Sequence, residues 1–94
     1  MVEEVEEAYQ KYKAKEKGWF KPFRGKDVIR YIESLGFKLI RQKGDHKIYG
    51  LTYEKDNVTH RPTLPIPNRD LSPVEIKKIF KELEGILSKF EESK

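Results

Sequence analysis

Apolar residues recur at helical spacing in three parts of this chain. Val2, Val5, Tyr9 and Tyr12 fall near one face of residues 2–17, a thin stripe with charges interleaved around it, and predict a helix that must dock on something or fray. Val28, Ile29, Ile32 and Leu35 form a clearer stripe after Gly25, and Gly36 stands where a left-handed residue commonly closes a helix. The third helix has the clearest start signal. Ser72-Pro73-Val74-Glu75 combines an N-cap serine, a proline at the first helical position and a glutamate placed for a capping box; Ile76, Ile79, Phe80 and Leu83 then make one face. Gly85 either ends this helix or sits inside a longer one.

Between the second and third helices the pattern becomes extended. Residues 37–43 read as a strand in which adjacent Leu39 and Ile40 blur the alternation and leave the inward face open. Gly44-Asp45 is a turn, residues 46–53 a second strand rich in Ile, Tyr and Thr, and Lys55-Asp56-Asn57 a second turn. Residues 58–66 resume an extended run whose Pro62 and Pro65, with Pro67 just beyond, make it an edge strand over its second half. The predicted fold is an α+β two-layer sandwich like a double-stranded-RNA-binding domain (dsRBD), α-β-β-β-α, with a three-stranded antiparallel sheet and an extra N-terminal helix. Trp19, Phe20 and Phe23 form an aromatic connector around Pro22, expected to plug the core edge or fix the first helix.

Composition narrows the chemistry. Ninety-four residues make one small domain that buries about 60–65% of its unfolded surface. Without cysteine there is neither a disulfide framework nor a thiolate zinc site, and two histidines are few for any metal, so no metal and no cofactor are expected. No apolar run approaches the ~20 residues that span a bilayer, and the N-terminal stretch is acidic where a signal peptide is basic; the expectation is a cytoplasmic protein without membrane contact. No glycine-rich phosphate loop is present. The net charge of +4 is unevenly placed: residues 18–50 carry eight basic and three acidic side chains, while the other stretches are close to balanced. A local basic patch of this kind attracts polyanions.

The patch surrounds a histidine. His46 follows the Gly44-Asp45 turn with Arg41, Lys43 and Lys47 nearby, placing a group that exchanges protons near neutral pH in a setting suited to phosphate. His60, next to Arg61-Pro62, is read as structural.

Gly25-Lys26-Asp27-Val28-Ile29, Leu35-Gly36-Phe37 and the run Arg41-Gln42-Lys43-Gly44-Asp45-His46-Lys47-Ile48-Tyr49 together resemble the HicA family of toxins. Thr63-Leu64-Pro65-Ile66-Pro67, Leu71-Ser72-Pro73 and Ile76-Lys77-Lys78-Ile79-Phe80 continue the resemblance in order, over roughly residues 24–86. The resemblance implies a dsRBD-like fold, an endoribonuclease (mRNA interferase) that acts without a metal, and neutralisation by a HicB-like antitoxin. It puts the catalytic role on His46, and we expect Arg41, Lys43, Gly44, Lys47 and Lys26 to contact RNA. Two positions depart from the family pattern: Asp45 stands where serine is usual, and Pro67 where a second histidine is often found. Residues 1–23 have no counterpart and are read as an N-terminal extension to a HicA-like domain over residues 24–94. Two other readings fit the same residues: a module that holds double-stranded RNA by shape and cleaves nothing, and a protein-interaction domain working through the aromatic connector and edge strand.

Overall fold

A computed structural model describes residues 2–93. In chain order the elements are helix α1 (Val2–Lys13), strand β1 (Phe23–Arg24), helix α2 (Gly25–Ser34), strands β2 (Lys38–Lys43), β3 (His46–Gly50), β4 (Tyr53–Lys55), β5 (Val58–His60), β6 (Thr63–Pro67) and β7 (Asp70–Leu71), and helix α3 (Pro73–Glu92). Strands β2, β3 and β6 form a three-stranded antiparallel sheet with β3 in the centre, and the helices pack against it in the dsRBD-like α+β arrangement.

The helices end and begin where local chemistry dictates. Gly36, at φ +107°, takes the left-handed conformation that closes α2, with its N–H bonded to Glu33 O at 3.0 Å. At the start of α3, Ser72 Oγ accepts from the Glu75 N–H at 3.3 Å and the Glu75 carboxylate accepts from the Ser72 N–H at 3.1 Å, so both halves of the capping box are present. Gly85 lies inside α3, which continues through Ile86, Leu87 and Phe90.

Two strands differ from their sequence-based outline. Strand β3 ends at Gly50, although Leu51, buried on the same face as Tyr49, still donates its N–H to Pro62 O at 3.2 Å. The next residues leave the sheet as a separate hairpin of β4 and β5. Asp56 and Asn57 at its tip have φ +55° and +65°, the pair of left-handed residues that a tight two-residue turn needs. A bulge at Ile40 resolves the ambiguity in β2: Leu39 pairs with Tyr49, Arg41 pairs with Ile48, and Ile40 has no partner. Tyr49, Leu64 and Ile66 point into the core, while α2 and α3 both lie against β6. Every residue of β2 is exposed, so the helix layer covers β6 and β3 and leaves β2 projecting beyond it.

Helix α1 supplies a third side to the helix layer. Its thin stripe suffices because Val5, Ala8 and Tyr9 are all buried against α2 and α3. The Tyr9 ring meets Phe80 edge-on at 5.4 Å and Tyr31 at 6.0 Å, and burial pushes the Tyr9 hydroxyl well above its usual pKa. Of the connector aromatics, Trp19 packs edge-on against Tyr12 at 5.0 Å and Phe23 is buried, whereas Phe20 is 55% exposed. The helix itself stops at Lys13, short of residue 17, before Lys15 adopts φ +60°.

Because Tyr9 joins all three helices, Tyr9→Ala is expected to remove about 3–5 kcal/mol of stability in urea denaturation. A loss below about 1 kcal/mol would show that α1 does not dock on the helix layer.

Candidate functional site: the hairpin tip and the β6–α3 trough

The site is assembled by backbone contacts around residues 67–72. Asp45 O, at the tip of the β2–β3 hairpin, accepts the Asn68 N–H at 2.6 Å. On the other side, Gly25 donates its N–H to Arg69 O at 2.8 Å, and β1 pairs with β7 through Phe23–Leu71 and Arg24–Asp70. Gly25 must be glycine here, because a Cβ would sit 2.2 Å from Pro67 O and 2.9 Å from Arg69 O. The hairpin tip, the 67–72 segment and the starts of α2 and α3 therefore form one block.

His46 opens β3 directly across from Pro67, and its side chain is 47% exposed. Its Nδ1 lies 2.9 Å from Asp45 Oδ1. A carboxylate can only accept, so this bond places the proton of the neutral ring on Nδ1 and leaves the Nε2 lone pair available. The contact fixes the orientation of the ring relative to Asp45. Its other oxygen lies 3.9 Å from Arg69 Nε. Arg69 in turn makes a two-pronged pair with Glu75, at 3.0 and 2.6 Å. This pair, with the Ser72 backbone bond, draws the Glu75 carboxyl down to about 2 from its ordinary 4.5.

Strand alternation divides the basic residues chosen from the sequence. Tyr49 and Lys47 share the inner face with Leu64 and Ile66; His46 and Ile48 share the outer face with Pro65 and Pro67. Lys43 pairs with His46 and Arg41 with Ile48, so both lie on the face that carries the histidine. Lys47 does not: it pairs with Ile66 on the inner face, although it is adjacent to His46 in sequence. Gly44 occupies the turn at φ +62°, and Lys26 is exposed one residue beyond the Gly25 contact. His60 stacks on Tyr53 at 5.1 Å, away from the hairpin tip.

Beside His46 is a trough of about 210 Å³, walled by Pro65, Pro67 and Arg69 on one side and by Lys78, Ile79 and Glu82 of α3 on the other. Local sequence signals do not point to Arg69 or Lys78 as site residues, and they identify Glu75 only as part of a helix cap. The capping box located Glu75, but its second partner depends on how the 67–72 segment folds back, which no local spacing reveals. Among the described residues, no group of three or more His, Asp or Glu is placed to hold a metal ion.

Comparison with protein families places most of the chain. The model described as the HicA toxin of bacterial toxin–antitoxin systems fits residues 25–84, more than half of the chain. No curated protein and no solved structure matches the chain significantly. The matched segment begins at the Gly25 contact and contains the hairpin, the 67–72 segment and the groove-lining part of α3 up to Glu82.

Two results follow from the geometry. Gly25→Ala should destabilise the protein by about 1–3 kcal/mol in chemical denaturation, since its methyl must displace the Pro67 and Arg69 backbone. A neutral outcome would show that the contact is loose. In a carboxyl NMR titration Glu75 should titrate near 2 in the wild type and move back towards 4.5 in Arg69→Ala. Because the folded-state value is depressed, the stability it contributes is complete above about 4.5 and is lost as pH falls towards about 2.

Proposed function

Because the chain belongs to the HicA toxin family of bacterial toxin–antitoxin systems, we propose that it is a metal-independent endoribonuclease that cleaves mRNA with His46 as general acid and base. The observation that supports this reading most directly is the pairing of His46 Nδ1 with Asp45 at 2.9 Å, at the edge of an open trough with cations around it. RNA carries its own nucleophile, so the chemistry needs proton transfer and charge stabilisation. Nε2 accepts the 2′-OH proton, the 2′ oxygen attacks the adjacent phosphorus, and the P–O5′ bond breaks. A 2′,3′-cyclic phosphate results, and the departing 5′ oxygen takes up a proton from the imidazolium or from water. Asp45 keeps the ring in the tautomer that leaves Nε2 free to accept the proton.

The cations divide into two roles. Lys43 and Arg41, on the face of His46, and Lys78, across the trough, are placed to hold phosphate and to offset the charge that builds on it in the transition state. Arg69 is already paired with Glu75 and close to Asp45, so it acts as a strut that positions Asp45. Lys47 and Lys26 contribute to the basic field around the tip. Pro67 directly opposes His46, so the strand across from it offers no second imidazole at that position. As a toxin of this family the chain pairs with an antitoxin, and a HicB-like protein is the expected partner; residues 1–23 form the extension to the catalytic domain of residues 24–94.

The test is cleavage of end-labelled mRNA in EDTA by wild type and His46→Ala, purified by the same route. The wild type should leave cyclic phosphate and 5′-OH ends, and His46→Ala should be slower by roughly 10²–10⁴-fold. Equal cleavage by both would remove His46 from the mechanism. Binding without cleavage by either would favour a module that only holds RNA.

A further inference from the structure

The trough does not end beside His46. A second hollow of about 350 Å³ shares Pro65 and Glu82 with the first and continues past Gly85 to Lys89 on α3 and to Tyr53 at the base of the β4–β5 hairpin. The two make one channel along the open edge of β6. From Lys78 to Lys89, α3 rises about 16 Å, room for several residues of an extended polymer.

Three features limit what that polymer can be. Pro65 and Pro67 remove backbone donors from the open edge of β6, so a peptide cannot add there as a further hydrogen-bonded strand. Lys78 and Lys89 are exposed at successive points of the channel and form no ion pair among the described residues, leaving two cations for a repeating anion. Tyr53 presents an aromatic side chain at the far end, braced by His60 at 5.1 Å and by Phe90 at 5.6 Å. Spaced cations with an aromatic group fit a single strand of nucleic acid, whose unpaired bases are free to stack and to be read on their edges.

Two residues refine the fit. Gly85 lies in mid-helix, where glycine is less stable than alanine, yet a Cβ there would meet nothing within 4 Å. Packing inside the chain does not require it, and its effect is to keep the channel floor bare. Glu82 sits between the two lysines, an unwelcome charge for phosphate but a pair of acceptors for a base. Of the four RNA bases, guanine presents two adjacent N–H donors on its Watson–Crick edge.

We propose that this channel is a subsite for the single-stranded RNA that adjoins the phosphate at His46, and that Glu82 makes it prefer guanine. The inference rests on the nuclease reading for which phosphate lies at His46. It is tested with the full chain and short single-stranded RNAs carrying 2′-O-methyl groups, which bind without being cleaved, followed by amide NMR. Shifts should extend from His46 along β6 to Gly85 and Lys89. Lys89→Ala should weaken binding of all sequences and lower the salt slope by about 0.7. Glu82→Gln should lose roughly fivefold or more of the preference for guanine. Gly85→Leu, a change that favours the helix, should obstruct the channel while the thermal midpoint holds or rises. Shifts confined to His46 and Arg69, or unchanged binding in both Lys89→Ala and Gly85→Leu, would overturn the proposal. Cleavage is read separately on unmodified RNA: a protein that binds along the channel and cleaves nothing would overturn the nuclease reading while supporting the channel.

Discussion

The close approach of Gly25 to the backbone of Pro67 and Arg69 is the contact on which the functional end of this protein depends. Only a residue without a side chain admits it, since a Cβ would lie 2.2 Å from a carbonyl oxygen. It brings the start of α2 against the segment after β6, and that segment reaches the hairpin tip through the bond from Asn68 to Asp45. Three parts of the chain distant in sequence are thereby joined by main-chain hydrogen bonds, which tolerate little change in geometry.

His46 inherits its placement from this block rather than from the hydrophobic core. The ring is half exposed and makes one side-chain hydrogen bond, to its own neighbour Asp45. Asp45 lies near Arg69, Arg69 is held by Glu75, and Glu75 belongs to the cap of α3. Each of these ion pairs is exposed and contributes little to stability alone. Their value is orientation: the network links the start of the longest helix to the ring that would move the proton.

The same edge of the molecule shows how protection and function can coincide. Prolines along β6 stop further strands from adding, the usual hazard of an edge. With strand pairing excluded, the space between β6 and α3 stays open as a channel whose walls include prolines, lysines and the carboxylates of Glu75 and Glu82. Helix α1 completes the helix layer through Val5, Ala8 and Tyr9, so residues outside the family match still contribute to the core.

The sequence by itself determined the elements whose signals are local. The Ser72 capping box, the glycine stop at Gly36, the Gly44-Asp45 turn and the stripes of α2 and α3 follow from side chains within a few residues of one another. His46 was legible as candidate chemistry because it lies beside a turn in the basic part of the chain, and the family motif passes through it. What tertiary structure decided was everything that depends on register and on return of the chain. The register of the hairpin, running from Lys43 opposite His46, put Arg41 and Lys43 on the face of His46 and Lys47 on the other, and the Ile40 bulge shifted only Leu39 and Lys38, since a shift of one residue reverses a side chain. Leu51 stays on the inner face with Tyr49, as alternation requires, but the departure of the following residues into a separate β4–β5 hairpin is not stated by any alternation pattern. Arg69, Lys78 and the channel stayed hidden for the same reason: their partners lie across the fold, and main-chain contacts between distant segments leave no periodic trace in the sequence.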